Sequence, residues 1–347
     1  MARRQASPPL REFSLIRTLD RRFSRRAPGL VQGIGDDAAV IATSSPTWWH
    51  LTTDLLAEGI HFDMKSATPE SVGYRAAMAN LSDIAAMGAV PRYLLISLAI
   101  PKTWTRSHIH KLYTGLMKAC RPYGVALVGG DTSASKTGLF LSITLVGATN
   151  KRRALFRHGA KAGDLIYVSG TLGDSLAGLT LSMGHTGSGP SSKRKSVFSR
   201  AHRAFLLRRH FLPTARVAEG RWLNEKRFAS AAIDLSDGLS GDLYRLCEES
   251  RVGAEVELDQ IPISPACRGY ARAMGVSPIR LALTGGEDYE LLFTTPPLNR
   301  EKMERQARSC GYRITRIGTI RAQRFGIQMT ADGRTQPLPA TSYEHFR

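Results

Sequence analysis

The chain has 347 residues, 42% hydrophobic and 22% charged, which is enough apolar material for one large core or two smaller ones and excludes general disorder. Lys and Arg number 48 against 29 Asp and Glu, and the formal net charge of +19 places nucleic acid among the partners to test. The longest apolar run, Tyr93 to Ile100, is far too short for a membrane-crossing helix of roughly 20 residues, and residues 1–12 lack the apolar centre of a secretory signal.

At roughly 100 to 200 residues per domain, the length favours two domains. Phe13, Ile16, Leu19 and Phe23 recur at helical spacing and predict a short amphipathic helix over 13–23. Strands follow at Ala38–Ala42 and from Trp48 to Thr53, the second ending on Asp54. Thr68-Pro69-Glu70 supplies an N-cap, an N1 proline and an early acid, opening a helix that carries Asn80 and Asp83 and stops at Gly88. A buried strand (92–99), a helix (106–123), a strand ending at Gly129-Gly130-Asp131 and a β-rich run (139–148) complete a first unit. The basic stretch 151–164 reads as the crossing into a second unit, so the division falls between residues 1–150 and 151–347. There the order is strand 165–168, helix 173–183, strand 230–233, helix 238–250, strands 254–258, 280–284 and 289–293, a helix near 299–309 and strand 312–320. Such alternation indicates an α/β or α+β fold. A Gly- and Ser-rich segment with a basic cluster, 182–196, reads as a surface loop.

The charge is unevenly spread. Residues 1–30 hold eight Arg against Glu12 and Asp20, and residues 181–210 hold seven Lys and Arg with no acid, so thirteen of the nineteen charges sit in sixty residues. These stretches lack interleaved aromatics apart from Phe13, Phe23, Phe198 and Phe205, which fit helix cores better than base stacking, and nucleic acid becomes an unlikely partner. Four cysteines, Cys120, Cys247, Cys267 and Cys310, form no CxxC pair and read as reduced thiols of a cytoplasmic protein.

The acids are the informative residues. Eleven of the 29 lie in six short Gly-, Ser- or Thr-containing segments: GIGDDAAVI (Asp36, Asp37), LTTDLL (Asp54), NLSDIAAMGA (Asp83), VGGDTSAS (Asp131), AIDLSDGLSGDL (Asp234, Asp237, Asp242) and LTGGEDYELLF (Glu287, Asp288, Glu290). Carboxylates brought together repel one another unless a cation neutralises them. Hard oxygen ligands with neighbouring hydroxyls (Thr52, Thr53, Ser82, Thr132, Ser236), and no His/Cys cluster, suit Mg2+ with a polyphosphate. Singly, each segment is as well explained by an Asx-turn or a helix cap. Other nucleotide devices fit poorly. Gly33 to Ala38 matches GxGxxG/A, but two carboxylates would face the pyrophosphate and a strand follows instead of a helix. In Gly130 to Thr137, Ser135 occupies the second glycine of a phosphate-binding loop.

The six segments, in this order and spacing, resemble the thiamine-monophosphate kinase family of the aminoimidazole-ribonucleotide-synthetase-like superfamily. The similarity runs from Glu12-Phe13-Ser14-Leu15 to Tyr343-Glu344-His345-Phe346. It implies a two-domain α/β (α+β) protein whose N-terminal mixed sheet pairs with a second subunit as a homodimer and whose C-terminal domain closes over ATP. It further implies several Mg2+ ions at Asp37, Thr52, Thr53, Asp54, Asp83, Asp131, Asp234 and Asp237, and ATP contacts at Gly130, Asp131, Arg157 and Ser236. His61, Glu287 and Tyr343 match positions that contact thiamine monophosphate, with His61 orienting this acceptor and Glu287 holding its cation by charge. No general base is assigned, because the acceptor phosphate, with a second pKa of about 6, is already ionised. Two relatives in the superfamily fit less well. The first cysteine, Cys120, is too late for a selenophosphate synthetase, and a chain ending His345-Phe346-Arg347 lacks the terminal cysteine of the hydrogenase-maturation dehydratases.

Overall fold

The structure, a computed structural model, describes residues 11–150, 152–184, 198–343 and 345. The basic cluster Lys193-Arg194-Lys195 and most of the expected 182–196 loop lie outside them. In chain order the elements are α1 (Glu12–Phe23), β1 (Leu30–Gln32), β2 (Ala39–Ala42), β3 (Trp48–Ala57), α2 (Pro69–Ala86), β4 (Val90–Pro101), α3 (Arg106–Cys120), β5 (Ala126–Ser135) and β6 (Phe140–Thr149). The second half holds β7 (Leu165–Ser169), α4 (Asp174–Ser182), α5 (Arg200–Phe211), α6 (Val217–Lys226), β8 (Ala231–Leu235), α7 (Leu239–Ser250), β9 (Val252–Glu257), α8 (Pro265–Met274) and α9 (Pro278–Thr284). It closes with β10 (Glu290–Thr295), α10 (Arg300–Cys310), β11 (Ile314–Ala322), β12 (Ile327–Ala331) and β13 (Arg334–Pro337).

Two mixed sheets result, one per domain. The first runs β1-β2-β3-β6-β4-β5, antiparallel except for the parallel pair β4/β5. The second runs β13-β12-β9-β11-β7-β10-β8, antiparallel except for β9/β12.

Helix α2 lies between the sheets, touching β3, β4 and β6 of the first and β8 and β10 of the second. Its local chemistry explains why it forms and why it can be buried. Thr68 and Ser71 make a reciprocal capping box, Pro69 opens the first turn, and Gly88, at φ +64°, ends the helix. Small residues (Gly73, Ala76, Ala77, Ala85, Ala86) line it, and its neighbours come close. A Cβ on Gly73 would stand 2.0 Å from the Leu112 carbonyl oxygen of α3, and one on Gly115 of α3 would stand 1.8 Å from that of Glu70. One apolar core is continuous from the first sheet through α2 (Val72, Leu81, Ile84) to Tyr167, Leu291 and Phe293 of the second; another lies under α4, α7 and α8.

The expected elements of the first unit are present, with β5 continuing past Asp131 to Ser135. In the second unit the expected strand 280–284 is instead helix α9: Ser277 caps it through the Arg280 N–H and Pro278 opens it, so the short apolar run Leu281-Ala282-Leu283 is a buried helical turn. Helices α6 and α8 were not anticipated. Among the described residues no helix is long and apolar enough to cross a membrane.

Candidate active site

The site begins with the pleat of β3. Alternation turns His50, Thr52 and Leu56 inward, where His50 and Thr52 are buried, and leaves Thr53 and Leu55 on the opposite, exposed face. The Thr52 hydroxyl donates to Asp83 on α2. The Thr53 hydroxyl donates instead to the Ile143 carbonyl of β6 at 3.0 Å, so one of the two threonines alone offers its side chain to the acids. From the second domain, β8 carries Asp234, which accepts from Ser82 of α2 at 2.7 Å and from Ser236 at 3.3 Å. The third arm is the loop between β1 and β2. There the Asp37 Oδ1 pairs with Arg157 at 2.5 Å, while Asp36 accepts from the Asp37 and Arg157 backbone N–H groups.

Asp37, Asp83 and Asp234 thus each present a carboxylate oxygen, all within 4.8 Å of one another, and Asp37 Oδ2 is buried without a hydrogen-bond partner among the described residues. Burial raises the pKa of Asp83 and Asp234 well above the carboxylate range, and neighbouring acids add to the rise; the same causes push Asp54 to about 6 and Asp36 to about 7. A group of oxygen donors that resist ionisation together and leave one oxygen unpaired fits a hard divalent cation.

Asp83 and Asp234 open onto a cleft of about 530 Å3 whose walls also include Asp54, His61, Ser236, Asp237, Glu287 and Tyr343. Asp237 pairs with Arg245 at 2.6 Å, and Asp242 holds the turn below by accepting from the Asp237 and Gly238 N–H groups. Glu287 lies in a loop with left-handed backbone at Glu287 and Tyr289 (φ +61° and +52°), tied down by Asp288, which accepts from the N–H groups of Gly173 and Ser175 at the start of α4. Glu287 does not stand as an isolated anion, since Arg75 of α2 reaches its Oε1 at 2.5 Å. The His61 ring stands 5.1 Å from that of His345, which in turn meets Tyr343 edge-on at 5.0 Å. Burial and then His345 lower the pKa of His61, against the pull of Glu287.

Gly130 and Asp131 are placed elsewhere. They sit on the exposed edge strand β5, opposite Ile96 and Ser97, with β4 and β6 between them and β3. Neither lines the cleft. A Cβ on Gly130 would approach the Ile96 carbonyl oxygen to 1.9 Å, which reserves the position for glycine. Residues that sequence reasoning passed over include Arg75, His210 and Glu12, which also line the cleft. Arg75 carries a legible signal, a cation on an otherwise small and apolar helix. His210 and Glu12 carry none.

Sheet, helix and acidic cleft together define a class. Residues 35–149 match the AIR synthase related protein N-terminal domain and residues 161–329 its C-terminal domain. The thiamine-monophosphate kinases of Salmonella typhimurium and Escherichia coli K12 are 38% and 37% identical to this chain, each alignment covering 96% of it and 98% of the relative. A solved structure of AaThiL complexed with AMPPCP and TMP superposes with a TM-score of 0.82 at 34% identity over 97% of both chains. The thiamine monophosphate kinase of Aquifex aeolicus gives 0.76 at 34%, over 93% of this chain and 98% of its own. Hydrogenase maturation protein HypE, 21% identical with a TM-score of 0.67, shares the fold. The chain belongs to the thiamine-monophosphate kinase family, phosphotransferases built on the AIR synthase related fold.

Proposed function

We propose that this protein phosphorylates thiamine monophosphate to thiamine diphosphate with ATP, by direct in-line transfer of the γ-phosphoryl group and without a phosphoenzyme, in the cytoplasm. The observation that carries this reading is the meeting of Asp37, Asp83 and Asp234, from three separate segments, with one buried oxygen unpaired. These residues, with Thr52, Asp54, Asp131 and Asp237, are the proposed ligands of several Mg2+ ions; the Thr53 side chain, turned to the opposite face, is not among them. Bound Mg2+ supplies the positive charge that lets two phosphate anions approach and balances the charge of the transferring group.

The protein's own residues do the rest. Arg157 holds Asp37 in register and, with Gly130, Asp131 and Ser236, is the proposed contact for ATP. His61, Glu287 and Tyr343, which line the same cleft, orient the acceptor so that its phosphate faces the acids. No side chain is needed to take a proton from an acceptor that is already ionised at neutral pH.

The domain division is placed between residues 150 and 151, with the C-terminal domain closing over ATP. The first sheet leaves Leu55, Tyr93, Leu95, Leu127 and Val128 exposed on strands β3 to β5, and a homodimer formed through these strands covers them. Dimerisation is also the arrangement by which Gly130 and Asp131 join a cleft, that of the second copy.

The test is ADP release by purified protein with thiamine monophosphate, thiamine or no acceptor, with and without Mg2+. Release that requires both thiamine monophosphate and Mg2+ is expected. Release that is independent of this acceptor overturns the assignment, and net retention of configuration at a chiral transferred phosphorus overturns the single displacement.

A further inference from the structure

Arg75 is 2% exposed and among the largest side chains buried whole. Its Nη2 donates to Glu287 Oε1 at 2.5 Å and to the His61 carbonyl oxygen at 3.2 Å, while its Nε has no partner among the described residues. One guanidinium on α2, in the N-terminal domain, therefore touches the backbone of one proposed acceptor residue and the carboxylate of another, and the second belongs to the C-terminal domain.

The rest of the surroundings narrow what Glu287 can do. Its N–H donates to the Ser236 carbonyl at 2.8 Å, and its Oε2 faces His210 Nδ1 of α5 at 3.7 Å. His210 is itself held against Ser175 Oγ of α4 at 3.2 Å. Glu287 is thus gripped from α2, α5 and the turn after β8, in a backbone conformation that costs free energy unless its surroundings impose it. An ion pair with one partner fully buried and the other 28% exposed contributes little net stability, because desolvation of the arginine offsets the attraction. What it does supply is a fixed direction for the carboxylate and a local charge already near balance.

Resting on the proposed function, we propose that Arg75 is a positioning residue of the acceptor site: it fixes Glu287 and His61 together across the domain boundary, so the site takes its shape when the two domains are packed on α2. Glu287 then reads the acceptor through the geometry of one free oxygen, with its overall charge largely spent on Arg75.

Kinetics of Arg75→Met, Arg75→Lys, Glu287→Gln and the Arg75→Met/Glu287→Gln double variant, in the full-length protein, test this. The KM for thiamine monophosphate is expected to rise about ten-fold in Arg75→Met while the KM for ATP stays within about two-fold. Arg75→Lys recovers part of the loss, and the double variant is no worse than Arg75→Met, because the two residues act as one unit. The double variant leaves no unpaired charge behind and supplies the measurement if Arg75→Met does not fold. Equal rises in both KM values, a fall in kcat alone, or additive effects in the double variant overturn the proposal. Wild-type protein that fails to use thiamine monophosphate overturns the functional reading instead.

Discussion

Two groups of acids lie in or near one cleft; burial works to raise the pKa of both, yet they end on opposite sides of the usual value. Around Asp54, Asp83 and Asp234, burial raises each pKa and the neighbouring carboxylates raise it further, with Arg157 opposing the rise at Asp234. Around Glu287 and Glu290, burial also works to raise the pKa, but Arg75 with His210 and His61 together outweigh it for the first, and Arg216 and Arg209 with the Ser169 hydroxyl for the second, and both end below the usual value. Glu290 takes Arg216 at 2.5 Å and Arg209 at 2.9 Å and is wholly buried. All are carboxylates whose burial works to raise the pKa, so the cations beside them make the difference. Balanced acids are parts of the frame; unbalanced ones are places for a cation to bind.

The comparison can be broken most forcefully at Asp234. Asp234→Asn is expected to lower kcat by about 10^3-fold, since it removes a donor where transition-state charge is balanced. Without Mg2+ the same variant should melt at or above the wild-type temperature, because one repelling carboxylate is gone. A variant that keeps its activity, or melts much lower in chelator, removes Asp234 from the unbalanced class.

At Glu290 the opposite outcome is expected. Glu290→Gln leaves Arg209 and Arg216 with only the more distant Asp174 and Glu219, at 3.7 and 3.6 Å, and should cost about 3 kcal/mol in denaturant unfolding, with the Mg2+ dependence of the folded fraction unchanged. A loss below about 1 kcal/mol would show that the pairs are not balanced as described.

The smallest effect is a pH dependence at the balanced end. His210 is buried, and burial first, then Arg75, lowers its pKa from 6.5 to about 4 against the pull of Glu287. Its folded pKa lies below its unfolded one, so its contribution is intact above pH 6.5 and is lost as pH falls from 6.5 towards 4. The loss is up to about 3 kcal/mol. Unfolding curves at pH 7 and pH 4.5 should differ less in His210→Gln than in wild type, and an unchanged difference assigns the acid sensitivity to other groups.

How much of this was legible beforehand varies by element. The capping signals of Thr68-Pro69-Glu70 and the stop at Gly88 located α2 within a residue or two, because caps are local chemistry. The run 280–284 went wrong for the converse reason: three apolar residues carry no period, and burial on all sides decides between strand and helix. At the site, the acids announced themselves by their setting among Gly, Ser and Thr. His210 did not, and Arg75 stood out only as the lone cation of α2 without showing its partner, since one 212 positions away in the chain, as Glu287 is, leaves no mark on its neighbours.

From its amino acids alone the chain determined its two-unit α/β order, the carboxylate-rich segments and the hard-cation chemistry they imply, because short-range spacing and donor type set those. Only the tertiary structure decided which carboxylates meet, that Thr52 and not Thr53 turns its side chain to them, that Asp131 stands apart from the cleft, and which acids find an arginine. Those outcomes depend on the pleat of β3, the strand order of the first sheet and the burial of α2 between two sheets, where Coulomb interactions across the fold act at short range in a medium that screens them weakly.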